Sequence, residues 1–240
     1  MEKIKSLFIS DLHLGNPNSQ GHKVLELFKQ YEFENLFIVG DFIDMTYIKK
    51  KKFNLAKKHL EIIQKVLKMS KKINVIYLIG NHDNYIRHLI EDGNTNIGNI
   101  IICDEYIHQT AHEKIYITHG DQFDGFIRVH PFIYWLGDTA YELSIKINKI
   151  YNFFRKIFGF EYWSLSAYLK TRVKNAIEFI NEYEQISKIK LKEMNCDSIL
   201  MGHTHTPKIK INEYYNTGDW MESCSYIIED IDGNLILKYH

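Results

Sequence analysis

The 240-residue sequence predicts a layered α/β fold interrupted by a helical insertion. Two observations carry that prediction. Short β-branched and aliphatic runs alternate with segments of helical periodicity in the first half of the chain, the pattern of βαβ units. From residue 125 to 195 that rhythm gives way to two consecutive long helical patterns. A third observation joins fold to function, because every strand expected in the core ends in Asp, Asn or His.

The first strand is read in "KSLFISD" (5–11) and the second in "NLFIVGD" (35–41), with a helical pattern over Lys23 to Tyr31 between them. A second helical pattern, Asn54 to Lys68, leads to the third strand, "INVIYLIGN" (73–81). The fourth is "KIYITHGD" (114–121) and the fifth "CDSILMGH" (196–203). Near the end, "SYIIEDIDGNLILKY" places Asp232-Gly233 between two strand-like runs, which predicts an antiparallel hairpin. In the insertion, Pro131 suits a helix start and Gly159 a helix stop. Between them Leu136, Ala140, Leu143, Ile147, Ile150, Phe154 and Ile157 trace one helix face. Ser164 suits the cap of a second helix through Leu165, Leu169, Val173, Ala176 and Ile180. The expected division is therefore a core of 1–124 and 196–240 and a helical cap of 125–195.

The strand ends read Asp11-Leu12-His13, Gly40-Asp41, Gly80-Asn81-His82-Asp83, His119-Gly120-Asp121 and Gly202-His203-Thr204-His205. Ligands of open α/β sheets gather beyond the carboxyl ends of strands, so these side chains are expected to converge. Extended residues at i and i+2 share a side, which would pair Asp11 with His13 and His203 with His205. Carboxylates, an amide and imidazoles without a thiolate suit Mn, Zn or Fe. The donors outnumber the needs of one tetrahedral ion and predict two divalent ions with one carboxylate bridging them. Two such ions carry more charge than Asp11 and Asp41 neutralise, the two carboxylates that the family resemblance below implies as ligands, which favours an anionic phosphate ester. A water shared by the ions would be acidified to hydroxide near neutral pH and attack phosphorus. His82, beside Asn81, is not needed as a ligand in the set that the family resemblance below implies. It is expected to face substrate as donor or acid, with Asp83 accepting from its other nitrogen.

The ordered blocks "DLHLG", "GDFID", "GNHD", "THGD" and "GHTH" resemble those of the calcineurin-like metallophosphoesterase superfamily. The resemblance implies an αββα core, a mixed β sandwich flanked by helices. It implies that Asp11, His13, Asp41 and His205 hold one metal, and that Asp41, Asn81, His119 and His203 hold the other. "THGDQFD" leading into an aromatic helical insertion, then "YWSLS", "GHTHTP" and "NTGDW", is similar to the UDP-2,3-diacylglucosamine hydrolase (diphosphatase) branch. That branch implies cleavage of a pyrophosphate in lipid A synthesis, Mn as the metal, and a helical cap that holds acyl chains. It carries Arg at the third position of "GNxD", where this chain has His82. Asp219 and Trp220 match its last block and are candidate supports of the site, as are Asp121 and Asp124 of "THGDQFD".

The insertion is crowded with aromatics, among them Phe132, Tyr134, Trp135, Tyr141, Tyr151, Phe153, Phe158, Phe160, Tyr162 and Trp163. They are expected either to pack on the α/β core or to line an apolar groove for a lipid. In the second case Arg155, Lys156, Lys170, Arg172 and Lys174 would meet phosphates or headgroups. Lys plus Arg balance Asp plus Glu, so no global field favours nucleic acid, and none is expected as a partner. Lys49 to Lys52 open a basic run read as a solvated helix face. Three scattered cysteines have no metal-type spacing, and no signal pattern or membrane span is read. The expectation is a cytoplasmic phosphohydrolase, with peripheral contact at the inner face of the membrane left open. The competing expectations are a phosphatase or phosphodiesterase for a soluble nucleotide or phosphoprotein, and a binding scaffold without catalysis.

Overall fold

The structure is a computed structural model describing residues 1–51, 55–90, 94–126, 147–160, 162–164 and 174–240. Its strands are β1 (Glu2–Lys3), β2 (Ser6–Ile9), β3 (Tyr31–Glu32), β4 (Asn35–Val39), β5 (Asn74–Leu78), β6 (Asn94–Ile97) and β7 (Ile100–Cys103). They continue as β8 (Glu105–Gln109), β9 (Lys114–Thr118), β10 (Ser198–Met201), β11 (Lys208–Lys210), β12 (Tyr214–Asn216), β13 (Ser225–Glu229) and β14 (Leu235–Tyr239). Seven form one sheet in the order β14-β13-β2-β4-β5-β7-β6, and five form a second, β11-β12-β10-β9-β8. The centre of each sheet is parallel: β2, β4, β5 and β7 in the larger, and β9, β10 and β12 in the smaller. Antiparallel strands close the edges, including the expected β13–β14 hairpin, whose Gly233 has φ +93°.

Period-two alternation sorts the side chains into two cores. Phe8, Phe37, Ile76 and Leu78 of the large sheet meet Ile115, Ile117, Leu200 and Tyr215 of the small one. Phe8 and Phe37 stack there with ring centroids 4.7 Å apart. Their neighbours Leu7, Ile9, Leu36, Ile38 and Val75 point the other way, toward helices α1 (Val24–Gln30) and α3 (Lys57–Met69). A short helix, α2 (Met45–Lys51), follows the Asp41 turn. The layers are helix, sheet, sheet and helix, the last supplied by the end of α5 (Lys174–Met194), where Lys190 stands over the Tyr116 ring and Leu191 is buried. This is the mixed α/β sandwich the sequence predicts.

The chain divides into two compact units, Met1–Gln122 with Ser187–His240, and Phe123–Ile186. In the second, helix α4 is described over 147–157 and stops as expected at Gly159, φ +75°, with the Phe160 N–H returning to the Arg155 carbonyl. That is a Schellman closure, which a left-handed glycine permits. Pro131, Phe132, Tyr134, Trp135, Leu136, Ala140, Tyr141, Leu143, Leu165, Leu169, Lys170, Arg172 and Val173 lie outside the described residues. The described part of the expected helix face is solvent-facing: Ile147, Ile150, Phe154 and Ile157 are exposed, and so are Phe153, Phe158, Phe160 and Tyr162. Arg155 stands over the Tyr151 and Phe160 rings, and Asn152 clips the Trp163 backbone to α4.

Candidate metal centre

Side chains from the ends of β2, β4, β5, β9 and β10 meet in the first unit. Ligand atoms of Asp11, His13 and His205 lie within 4.8 Å of one another, as do those of Asp11, Asp41 and His119, and those of His13, Asp41 and His82. His205 Nε2 is 3.1 Å from Asp11 Oδ1, and Asp41 Oδ2 lies 3.4 Å from His119 Nε2 and 3.7 Å from His13 Nε2. Asn81 joins through its amide oxygen, 3.3 Å from His119 Nε2, and the His203 ring lies 5.1 Å from that of His119. All seven donors expected from the sequence are thus drawn together.

The route by which they converge differs from the expectation. Asp11 and His13 do not share a side by strand pleat, because β2 ends at Ile9. Asp11, His13, Asp41, His203 and His205 all have φ between +48° and +61°. This left-handed region is costly for residues with a Cβ and marks a backbone held by its surroundings. The holding bonds are visible: Asp11 N–H donates to the Gly40 carbonyl at 3.1 Å and His13 N–H to the Asp41 carbonyl at 2.9 Å. From behind, Trp220 N–H donates to the Asp11 carbonyl at 3.1 Å. Glycines make room beneath. A Cβ on Gly40 would stand 2.2 Å from His119 Nδ1, and one on Gly80 2.2 Å from Asp41 Oδ1.

Each carboxylate keeps one oxygen tied back and one facing its neighbours. Asp11 Oδ2 accepts from the His203 N–H at 3.0 Å and from the Ser10 hydroxyl, and Asp41 Oδ1 accepts from the His82 N–H at 2.8 Å. Asp11 Oδ1 is buried without a hydrogen-bond partner. His119 Nδ1–H donates to the Val39 carbonyl at 2.9 Å, which leaves Nε2 a lone pair pointed at Asp41 and Asn81. A buried orphan carboxylate oxygen beside imidazoles with lone pairs inward is a donor set that fits divalent cations. Burial alone would raise the Asp11 carboxyl, but His205 and His119 outweigh it and hold it down to about 2. Burial is likewise outweighed at Asp41, held well below the carboxylate range by His119, His13 and His82. At His13 burial is overcome by Asp44, Asp41 and Asp11, which lift it to about 9.

The role expected of Asp83 belongs to a residue the sequence reading passed over. Asp83 is buried and committed to the frame, accepting from the Phe42 N–H at 2.8 Å, the Gly80 N–H at 2.6 Å and the Tyr77 hydroxyl at 2.5 Å. Burial and the Asp41 charge push its carboxyl up to about 6. His82 Nδ1 instead meets Asp44 Oδ1 at 2.9 Å. The same Asp44 oxygen caps α2 by accepting the Tyr47 N–H at 2.8 Å, and its other oxygen lies 3.6 Å from His13 Nδ1. The signal was present in "GDFID", where a second carboxylate follows Asp41 by three residues and precedes a helix.

The remaining candidates have other employments. Asp121 forms an ion pair with Arg87 at 2.9 Å, and the same guanidinium reaches Asp104 at 2.7 Å and the Ile79 carbonyl at 3.1 Å. Asp124 accepts from the Tyr183 hydroxyl within the second unit. Asp219 caps the turn after it, accepting from the Met221 N–H at 2.7 Å, and the Trp220 ring stacks on Tyr226.

The calcineurin-like phosphoesterase family profile matches residues 4–207. UDP-2,3-diacylglucosamine hydrolase of Psychromonas ingrahamii is 23% identical, covering 98% of each chain. Among solved structures, a hypothetical protein of Pyrococcus horikoshii superposes with TM-score 0.50 at 12% identity, over 99% of this chain and 87% of that one. The Yfce phosphoesterase of E. coli superposes with TM-score 0.45 at 15% identity, over 98% and 99%.

Proposed function

The chain belongs to the calcineurin-like phosphoesterase family and is a metal-dependent hydrolase of phosphoric esters, and from that premise we propose that it cleaves a pyrophosphate joining a nucleotide to a lipid-bearing sugar, of the UDP-2,3-diacylglucosamine kind used in lipid A synthesis. In this reading Asp11, His13, Asp41 and His205 hold one divalent ion, and Asp41, Asn81, His119 and His203 the other, with Mn as the metal. The ions would supply Lewis-acid polarisation of the phosphoryl oxygens and acidify water at neutral pH. The chain's own residues do the rest. Asp44 fixes the His82 tautomer by taking its Nδ1–H, so Nε2 faces the reacting phosphate. In the imidazolium form the ring carries a second proton at Nε2, which passes to the departing oxygen, leaving the neutral Nδ1–H ring, or is donated in a hydrogen bond to a phosphoryl oxygen. The observation that carries the reaction is the inward pair of carboxylate oxygens, Asp11 Oδ1 and Asp41 Oδ2, each within 4 Å of two imidazole nitrogens.

The lipid half of the reading is supported by the Psychromonas relative's name and by the exposed apolar side chains of α4. Among the described residues no helix is long and apolar enough to cross a membrane, so contact with one would be peripheral, through the second unit. His82, where the branch resembled has Arg, leaves the reaction class alone and bears on the exact lipid substrate; the second reading is a phosphatase or phosphodiesterase for a soluble nucleotide or phosphoprotein. Mn-dependent release of uridine monophosphate from the acylated sugar nucleotide separates the two. His82→Ala should lose most turnover while keeping its metal, and Asp41→Ala should lose the metal itself, both read by kinetics beside metal analysis. Metal loss in His82→Ala would show His82 to be a ligand, which its place within 4.8 Å of His13 and Asp41 allows. Bound metal without hydrolysis of any ester would support a non-catalytic scaffold.

A further inference from the structure

One member of the exposed lysine run has an aromatic partner. Lys49, on α2, donates to the Tyr85 hydroxyl at 3.2 Å and stands 4.9 Å from the centre of its ring. Among the described residues no carboxylate pairs with it. Lys50, exposed like Lys49, makes no such contact.

The position of the pair gives it meaning. Asp44 caps α2 and holds His82; Lys49 lies five residues along that helix, about 7–8 Å at 1.5 Å per residue. Tyr85 lies three residues beyond His82, in the 3-10 turn Asn84–Leu89. Asp44–His82 and Lys49–Tyr85 are thus successive cross-links between the same two segments, the first at the metal centre and the second about one helical turn outward. The helix carrying Lys49 is fixed rather than adrift: Ile48 packs over Gly15, where an added Cβ would stand 2.6 Å from Ile48 Cδ1.

We infer that Lys49, positioned by Tyr85, binds the phosphate that departs when the substrate is cleaved, which makes it a specificity residue for pyrophosphates over simple phosphodiesters. The inference rests on the proposed pyrophosphate reaction. Hydrolysis forms a bond between water oxygen and the attacked phosphorus and breaks the bridging P–O bond, whose electron pair stays on the departing phosphate. The attacking water gives its proton to solvent, and the departing phosphate leaves past His82 singly charged where His82 protonates it and doubly charged where His82 only donates a hydrogen bond. An unneutralised ammonium one turn outward meets it; a p-nitrophenolate, lacking a second phosphate, offers that ammonium far less. Tyr85 holds the ammonium by its hydroxyl and its ring face without cancelling its charge.

The test is a ratio of kcat/KM values, the acylated uridine diphosphate sugar over bis(p-nitrophenyl) phosphate, with Mn present. One charge-assisted hydrogen bond is worth about tenfold in such a ratio. Lys49→Met is expected to lower it about tenfold, Lys49→Arg to retain most of it, and Lys50→Met to leave it where the parent has it. A Lys49→Met ratio equal to the parent's, or an equal fall in Lys50→Met, overturns the inference while the pyrophosphate reaction stands. A parent chain that cleaves the phosphodiester and not the pyrophosphate overturns the proposed reaction and this subsite with it. Metal content, equal across the variants, excludes a distorted centre as the cause.

Discussion

Asp44 concentrates three jobs in one carboxylate: it caps α2, orients His82 and stands behind His13. Those jobs can be separated by substitution. Asn caps a helix about as well as Asp, so Asp44→Asn should fold normally but lose the carboxylate that aims His82 through its Nδ1–H. Its kcat should fall at least about tenfold at saturating Mn, with a weaker metal affinity because His13 loses an outer partner. Asp44→Ala should add a stability loss of about 1 kcal/mol, seen in urea unfolding. If Asp44→Asn turned over like the parent, His82 would need no orienting partner and its assigned role would fail. Gly40 offers a second residue-scale test. With φ +81° and the His119 ring where its Cβ would be, Gly40→Ala should displace His119 and reduce bound metal. The donors were legible in the sequence because each ends a strand. Their left-handed backbones were not, since nothing in Asp-Leu-His distinguishes a continuing strand from a turn once tertiary bonds decide it.

At the scale of elements, α3 is tied to the loop after His13 by a single side chain. His59, buried on α3, accepts the Gly15 N–H on Nδ1 at 2.9 Å. Burial, aided by the Lys58 and His22 charges, pulls its pKa down from 6.5 to about 4. An imidazolium would also turn an N–H toward the Gly15 donor. The unfolded chain therefore binds this proton below pH 6.5 while the folded chain refuses it until about pH 4, so stability rises with pH across that window and this contribution is lost as the pH falls through it. His59→Gln, which retains an acceptor, should flatten that limb of the stability profile in urea titrations between pH 4 and 7. A variant with the parent's slope would place the acid sensitivity elsewhere. Some of the elements that sequence reading passed over share a cause, although β7, Ile-Ile-Ile-Cys, was missed in spite of strong strand formers. β6 is Asn-Thr-Asn-Ile, poor in strand formers, β8 alternates without a strong apolar face, and α2 is only two turns long. Their pairing partners, not their own composition, hold them in place.

Across the whole first unit, the metal centre draws on both sheets: Asp11, Asp41 and Asn81 leave the large sheet, while His119, His203 and His205 leave the small one. The two sheets are joined between their faces by an apolar core and at this end by polar groups whose buried charges depend on one another. Cations bound there would add cross-sheet links that the unfolded chain lacks. Binding to the folded state alone stabilises by about 2.7 kcal/mol when free metal is a hundred times the dissociation constant. For a chain of this size that corresponds to a rise in Tm of about 5–10 °C. Mn should raise the parent's Tm by that order and EDTA should reverse it. Asp41→Asn, lacking the carboxylate common to both donor groups, should show little response to either. The size of the response also distinguishes architectures. If Mn gave the parent its full rise while Asp41→Asn retained it, the cations would be binding away from the strand ends, and the convergence of the two sheets would serve packing rather than a metal centre.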